Sequence, residues 1–412
     1  DDGADVEMDI ILPRGCSRPV VVNRFAPDDG VAERVLLVVG VAGEETGGNR
    51  QCAMAARRTA GAGLALLQRG TVTVAGDVRL DARDALGSLL RDAGGAPPDA
   101  ADGDLGLVRS AYLAWGAGAV SRLRGDFSFV IWDADARVLV AARDGLGVRP
   151  LYYAAGRGVL VLSNLIDAVR AHPDVPGALH PPAIVSFLEH GWNVDRATTT
   201  FACINRLPPG TMFVRTDLLP DSAPQVHWRI PDPPALRYRR DAEYVEHFRH
   251  LLDAAVRDRL HPDGTAILLS GGLDSTSLAA TARRVAPGTP LFALTMRARD
   301  VESGEESRLA AIVARRLGLA HELRDVALPD PDVVARHTPE PYDDPGFTIS
   351  CEVAAALAAH APVVFEGEDG DALFAPPSLR AMARQWPVAD IAVRFVKHTI
   401  RTGFAVPSGS VE

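Results

Sequence analysis

The residues best suited to chemistry in this sequence are Ser270 to Ser275, which read Ser-Gly-Gly-Leu-Asp-Ser. They follow an apolar run at 266–269 that is typical of a buried strand, and they precede a segment that favours a helix ending near Pro287. Such a turn brings backbone N–H groups together at the positive end of the helix dipole, and glycine lets a ligand approach closely. The hydroxyls of Ser270, Ser275 and Thr276 add donors, so we predict an anion-binding loop.

Asp274 indicates what kind of anion this loop binds. The loop contains no Lys and lacks the GxxxxGK[ST] spacing of the common NTPase phosphate loop. A carboxylate among phosphate donors is unfavourable unless a cation lies between them, so the loop predicts Mg²⁺ bound together with phosphates. The alternative is a glycine turn that is merely capped by its Asp and Ser side chains.

A second glycine turn bearing carboxylates occupies residues 367–374 and reads Gly-Glu-Asp-Gly-Asp-Ala-Leu-Phe. It follows the apolar segment 362–366, which predicts another strand. Carboxylates from adjacent strand ends can bridge a hard cation to phosphate oxygens. By itself this segment is equally compatible with an acidic surface loop.

Together the two loops resemble the signatures of the ATP-pyrophosphatase superfamily, and in particular those of asparagine-synthetase-like enzymes. The resemblance implies that ATP and Mg²⁺ are cofactors, that Asp274 and Asp371 hold the metal, and that both act in catalysis with Glu368. Glu368 matches the position where aminating members place a Glu near the reacting carboxylate, which implies a general base for the attacking amine. The implied nucleotide-binding residues are Leu268, Ser270, Gly271, Gly272, Leu273, Asp274, Ser275, Met296 and Gly367. Of these, backbone groups at Leu268, Met296 and Gly367 are implied to line the adenine and ribose pocket.

Residues 1–210 resemble the N-terminal domain of the same proteins, and the resemblance covers most of residues 105–375. It is carried by the stretches 123–133, LRGDFSFVIWD, and 143–153, RDGLGVRPLYY. It implies a glutamine-amidotransferase-like (Ntn-type) α+β sandwich. Alternation of Phe127, Phe129 and Ile131 with smaller residues independently predicts a strand with one buried face.

This domain is expected to be degenerate. Glutamine-hydrolysing members carry a Cys at the mature N-terminus, whose own amine acts as the base, whereas residue 1 here is Asp and the nearest thiol, Cys16, is interior. The family's Asn-Gly-Glu glutamine clamp is matched only by Ala75-Gly76-Asp77. We therefore predict no glutaminase activity and no internal ammonia supply.

Residues 211–240 are rich in Pro and predict a semi-rigid linker, and residues 241–412 predict the adenylating domain. In the latter, an amphipathic helix at 241–260 is followed by alternating strands and helices, which predicts a doubly wound parallel sheet with ligands beyond the carboxyl ends of its strands. After Phe374 the family's Gly-Gly-Tyr is replaced by Ala-Pro-Pro, so we expect an incomplete C-terminal block.

Composition excludes several other classes of protein. The 412 residues carry a net charge of −10, which argues against a nucleic-acid partner. No apolar run is long enough to span a bilayer, and the N-terminus shows no signal-peptide pattern, so we expect a cytoplasmic enzyme. The 4 Cys residues are far apart and indicate neither disulfides nor zinc, and the 11 His residues do not cluster, so His321 and His360 read as ordinary residues.

The detailed motifs most resemble lasso-peptide (macrolactam) cyclases. The similarity lies in Gly-Asp-Phe-Ser-Phe, the run 237–258, SGGLDSTSLA and the Gly-Asp-Ala-Leu-Phe ending. It implies that the Asp or Glu side chain of a precursor core peptide is adenylated and then attacked by the peptide's N-terminal amine. It further implies a leader-peptide protease and a leader-recognition protein as partners. Two rivals stay open: a small-molecule ligase of the β-lactam synthetase or ammonia-dependent asparagine synthetase type, and a non-catalytic relative.

Overall fold

The computed structural model of the chain describes residues 8–11, 36–41, 51–57, 66–95, 98–156, 159–216, 223–231, 236–298, 304–326, 340–341 and 347–370. In the N-terminal half, the described strands form two antiparallel sheets. The first sheet has the order β1-β3-β2-β9-β8-β10 and contains β1 (Met8–Ile11), β2 (Leu36–Val41), β3 (Gln51–Arg57), β8 (Tyr152–Gly156), β9 (Val159–Ser163) and β10 (Asn205–Arg206). The second has the order β12-β11-β7-β6-β5-β4 and contains β4 (Leu66–Arg69), β5 (Val72–Leu80), β6 (Gly125–Asp133), β7 (Val138–Arg143), β11 (Thr211–Arg215) and β12 (Gln225–Val226).

Helices cover both outer faces of this pair of sheets. Helices α1 (Arg83–Asp92) and α2 (Gly103–Trp115) pack on the second sheet, with Phe127 and Phe129 of β6 in the shared core. Alternate residues of β6 and β7, such as Val130 and Leu139, face the first sheet instead. Helix α3 (Ile166–Arg170) packs on the first sheet, and α4 (Pro181–His190) follows it. The result is the predicted α+β sandwich. Successive residues of β6 alternate between the core under the helices and the core between the two sheets.

The N-terminal domain extends further along the chain than the predicted boundary at 210. Strand β11 pairs with β7 along Thr211–Arg215, and β12 adds Gln225–Val226 to the sheet edge. Trp228 then packs on Gly145, where a Cβ atom would lie 2.5 Å from the indole ring. The predicted linker at 211–240 is therefore wrong at Thr211–Arg215 and Gln225–Val226, which form sheet strands, and every second residue of β11 is buried.

The C-terminal domain contains a parallel sheet of the order β15-β14-β13-β16 among its described strands, which confirms the predicted fold class. The strands are β13 (Thr265–Leu268), β14 (Leu291–Ala298), β15 (Ala320–Val326) and β16 (Val364–Phe365). Helices α5 (Asp241–Arg259), α6 (Leu273–Val285) and α7 (Gly304–Leu317) pack on one face, and α8 (Phe347–Ala358) packs on the other. Because all four strands run parallel, the loops after β13 and β16 open at the same edge of the sheet.

Hydrogen bonds and ion pairs join the two domains where α5 ends. The Ala82 amide donates to Asp258 at 3.2 Å, and Arg259 pairs with Asp81 at 3.1 Å. Burial alone would raise the pKa of the Asp81 carboxyl, but the hydrogen bond from Arg79 and the charge of Arg259 outweigh it, so the pKa lies below its ordinary value. The carboxylate is thus held ionised between arginines of both domains.

A second junction is formed by Glu340, which lies between β15 and α8. Its carboxylate accepts from the Thr200 amide at 3.2 Å and from Arg206 at 2.6 Å. The C-terminal domain is therefore anchored to the N-terminal sandwich at two separate places.

Candidate active site

The first glycine loop connects β13 to α6 and packs against α7. Gly271 has φ +85°, and a Cβ atom there would lie 2.6 Å from the Glu306 carbonyl oxygen and 2.9 Å from the Ala310 amide nitrogen of α7. Any side chain at this position would push α7 away, and the backbone is in the left-handed region as well. The second residue of the predicted Ser-Gly-Gly turn must accordingly be glycine.

Two of the predicted hydroxyl donors bond to the loop itself. The Ser270 amide donates to the Ser275 hydroxyl at 3.2 Å, and the two hydroxyl groups lie 3.0 Å apart. The Gly272 amide donates to the Ser270 hydroxyl at 3.2 Å. Ser275 is only 2% exposed, so it shapes the turn from beneath. Asp274, in the first turn of α6, is partly exposed at the loop surface.

The second glycine loop closes directly onto Asp274. A Cβ atom on Gly367 would lie 2.7 Å from the Ser275 amide nitrogen, and one on Gly370 would overlap the Cγ and Oδ2 atoms of Asp274. Between these glycines Asp369 takes φ 60°, which tightens the turn. Since β16 lies beside β13 in parallel, the topology and the two glycines together bring both signatures to one place.

The remaining predicted site residues are distributed around this junction. Glu368 is exposed at the tip of the second loop, and Leu273 is 86% exposed beside the first. Leu268 and Met296 are partly buried at the carboxyl ends of β13 and β14. Asp371 lies outside the described residues, but Gly370, the residue before it in the chain, is the one that meets Asp274.

The acidic pair Glu305–Glu306 lies in the first turn of α7 and is exposed. Its described contact with the loop is made by the backbone, through the Glu306 carbonyl oxygen next to Gly271. The helix dipole favours acidic side chains in a first turn, which accounts for this pair without a role in the site. Asp343-Asp344-Pro345 stands where the resemblance implies an acidic loop on the substrate side, and this segment lies outside the described residues.

Sequence reasoning missed two polar residues beneath the first loop. The Thr295 hydroxyl on β14 donates to the Leu269 carbonyl oxygen at 2.7 Å and lies 2.9 Å from His321 Nε2. Burial lowers the pKa of His321, which keeps the ring neutral at neutral pH. The only sequence signal was a Thr placed just beyond the apolar part of a strand.

Asp274 has the chemistry expected of a magnesium ligand. Magnesium in phosphate sites is held by one or two carboxylates, with phosphate oxygens and water completing its shell. A partly exposed carboxylate at a helix N-terminus, enclosed by two glycine loops, meets that requirement. Within the described part of the chain, no group of three or more His, Cys, Asp or Glu side chains is arranged to hold a metal by itself.

The position of the family's glutamine clamp in the N-terminal domain is occupied by sheet structure and an ion pair. Gly76 lies in β5 against Ser128 and Phe129 of β6, so closely that a Cβ atom would overlap Phe129. Asp77 pairs with Arg149 at 3.1 Å. The charge of Asp77 is thus matched within the protein. Cys16 lies outside the described residues.

The sandwich, the parallel sheet and the paired glycine loops define a two-domain protein of the amidotransferase and ATP-pyrophosphatase type. Models of two families match the chain: the glutamine amidotransferase domain over residues 99–221 and asparagine synthase over residues 247–402. The chain belongs to the asparagine-synthetase-like superfamily.

Among curated relatives, the amidase chyE of Penicillium rubens is 30% identical, over 66% of this chain and 43% of its own length. A putative glutamine-hydrolysing asparagine synthetase of Mycobacterium bovis is 28% identical, over 67% of this chain and 43% of its own. The chain thus spans less than half the length of these relatives. Among solved structures, the glutamine phosphoribosylpyrophosphate amidotransferase of B. subtilis aligns over 81% of this chain and 84% of its own at 13% identity, with a TM-score of only 0.29.

No helix in the described part of the chain is both long and apolar enough to cross a membrane.

Proposed function

We propose that this protein is an ATP-dependent carbon–nitrogen ligase that forms AMP. A substrate carboxylate oxygen attacks the α-phosphorus of ATP, pyrophosphate leaves, and an amine displaces AMP from the acyl-adenylate to give an amide. The observation that carries this proposal is the packing of Gly367 and Gly370 against Ser275 and Asp274. It joins two carboxylate-bearing glycine loops at the carboxyl edge of a parallel sheet, where nucleotides bind in folds of this kind.

The chain's own residues bind and orient the phosphates in this proposal. The loop 270–275 supplies backbone donors at the N-terminus of α6, while Asp274, with Asp371, holds Mg²⁺. When bound, the ion neutralises charge on the departing pyrophosphate. The protein contributes mainly alignment and fixed charge, since phosphoryl chemistry requires little covalent help.

Glu368 is proposed to take the proton that the attacking amine must lose. Its exposed position at the tip of the second loop leaves it open to a substrate on the solvent side of Asp274. A base at this place acts only after adenylation, because the amine attacks the completed acyl-adenylate.

Glu368→Gln should therefore slow amide formation by roughly 100-fold, the usual size of a general-base contribution, and should leave ATP–pyrophosphate exchange within about threefold of wild type. Single-turnover measurement of amide and exchange in parallel tests this separation. Asp369→Asn, a change at the neighbouring exposed carboxylate, is the matched control. Equal amide rates for Glu368→Gln and wild type would remove Glu368 from the catalytic residues.

For the substrate, we propose the Asp or Glu side chain of a precursor core peptide, joined to the peptide's own N-terminal amine to close a macrolactam. Two features support an amine that belongs to the substrate. The glutamine clamp is replaced by Ala75-Gly76-Asp77, and Asp77 is already paired with Arg149. An intramolecular attack also benefits from an effective molarity of about 10⁵ M or more.

Several of the relatives are named asparagine synthetases, which favours a second candidate, a ligase that makes asparagine from free aspartate. ATP–pyrophosphate exchange separates the two candidates. We expect exchange that depends on a core-type peptide with an internal Asp or Glu and a free N-terminus. Exchange that depends on free aspartate would favour the second candidate, and a protein that does not bind Mg-ATP would be a non-catalytic relative.

A further inference from the structure

A partly buried series of hydrogen bonds supports the first glycine loop from below. The Thr295 hydroxyl must donate to the Leu269 carbonyl oxygen, because a carbonyl can only accept, and the distance is 2.7 Å. The remaining contact of that hydroxyl is His321 Nε2 at 2.9 Å, so the histidine ring donates through Nε2–H. His321 thereby fixes the direction in which the Thr295 hydroxyl points.

These side-chain hydrogen bonds begin where the backbone hydrogen bonds between β13 and β14 end. The last registered pair of β13 and β14 is Leu268 with Leu294, and the Leu269 amide still donates to the Leu294 carbonyl at 2.8 Å. At the Leu269 carbonyl the partner is the side chain of Thr295, in place of a backbone amide of β14. The backbone can therefore turn away from the sheet without leaving a buried carbonyl unsatisfied.

The peptide group that joins Leu269 to Ser270 therefore has a hydrogen-bond partner at both its carbonyl and its N–H. Its carbonyl, from Leu269, accepts from Thr295, and its N–H, from Ser270, donates to the Ser275 hydroxyl at 3.2 Å. Two bonds on opposite sides of one planar peptide fix its rotation. That rotation sets the direction of the backbone that follows, which is the glycine turn itself.

We propose that Thr295 and His321 are positioning residues for the nucleotide, and that they set the orientation in which loop 270–275 presents its donors to the ATP phosphates. The inference rests on the proposed function and adds residues that the two signature loops do not contain. It also gives a role to His321 of β15, which reads as ordinary in the sequence and reaches the loop through Thr295 of β14.

Thr295→Val keeps the shape of the side chain and removes the hydroxyl, so the Leu269–Ser270 peptide keeps only its bond to Ser275. We expect the Kd for Mg-ATP to rise about 5- to 10-fold, the usual effect of one lost hydrogen bond, with no change in KM for the carboxylate substrate. Thr295→Ser retains the hydroxyl and should restore the Kd to within about threefold.

Thr265→Val is the matched control. Thr265 is likewise buried in this sheet, and its hydroxyl accepts from the His261 amide at 3.2 Å, but it lies at the opposite, amino end of β13. Both Val variants should lower the thermal midpoint similarly, and only Thr295→Val should weaken Mg-ATP binding. Equal Kd values for both Val variants would reduce Thr295 to an ordinary core residue and overturn the proposal.

His321→Leu provides a second route that leaves Thr295 in place. It should raise the Kd in the same direction, and the double variant with Thr295→Val should be no weaker than Thr295→Val alone, because both act through one chain. Additive losses would contradict this dependence. If wild-type protein fails to bind Mg-ATP at all, the proposed function itself fails, which is a different result from wild-type binding that these substitutions leave unchanged.

Discussion

Replacement of Asp274 by Asn is expected to reduce pyrophosphate release by roughly a thousandfold or more, because a metal clamp on transferring phosphates contributes several kcal/mol. The substitution preserves the size of the side chain, so its contact with Gly370 can persist while the charge is lost. The measurement is carboxylate-dependent release of pyrophosphate at saturating ATP and Mg²⁺.

The matched control is Asp263→Asn in the turn before β13. That side chain is 84% exposed and lies at the opposite end of the strand. Its removal changes the net charge by the same amount without touching the loops, so near wild-type activity is expected. Pyrophosphate release by Asp274→Asn at the rate of this control would refute the metal assignment.

Gly370→Ala is expected to cost on the order of 100-fold in the same assay, the penalty that follows when reacting groups are misplaced by about 1 Å. A methyl group at this position would occupy the space of the Asp274 carboxylate. Either that carboxylate rotates away or the second loop retreats, and both movements separate the two acidic segments. Strain of this kind also lowers stability, by about 1 to 3 kcal/mol.

Gly288→Ala separates the local effect from a general one. Gly288 follows the far end of α6, and a Cβ atom there would meet no atom within 4 Å. We expect this variant to retain full activity, as judged by pyrophosphate release and by the midpoint of thermal unfolding. Full activity of Gly370→Ala as well would mean that the two loops do not need to touch.

The sequence was most informative where local pattern and topology agree. Strands β13 and β14 and the helix at 241–259 follow from apolar runs and helical spacing, and the parallel order follows from their alternation. The two glycine loops could be identified from the sequence because no other residue type fits at their key glycine positions. At Gly271 the backbone of α7 leaves no space for a side chain, and at Gly370 the side chain of Asp274 leaves none.

Other features depend on contacts between distant segments and could not be predicted. Pro-rich composition suggested a linker after residue 210, yet β11 pairs with β7 because tertiary contacts override local preference. Thr295 and His321 carry no motif, and their role appears only when β14 and β15 place them below Leu269. The same holds for Glu340, whose partners Thr200 and Arg206 are far away in the sequence.

The central claim is that Asp274 and Asp371 share one magnesium ion in a single nucleotide site. It is tested most directly by the Kd of a non-hydrolysable ATP analogue, measured with Mg²⁺ and with EDTA, for the wild type, Asp274→Asn, Asp371→Asn and the double variant. We predict that Mg²⁺ tightens binding to the wild type, that each single substitution removes most of this tightening, and that the double variant is no weaker than either single one. Independent, additive losses, or tightening by Mg²⁺ that survives in the double variant, would contradict the claim.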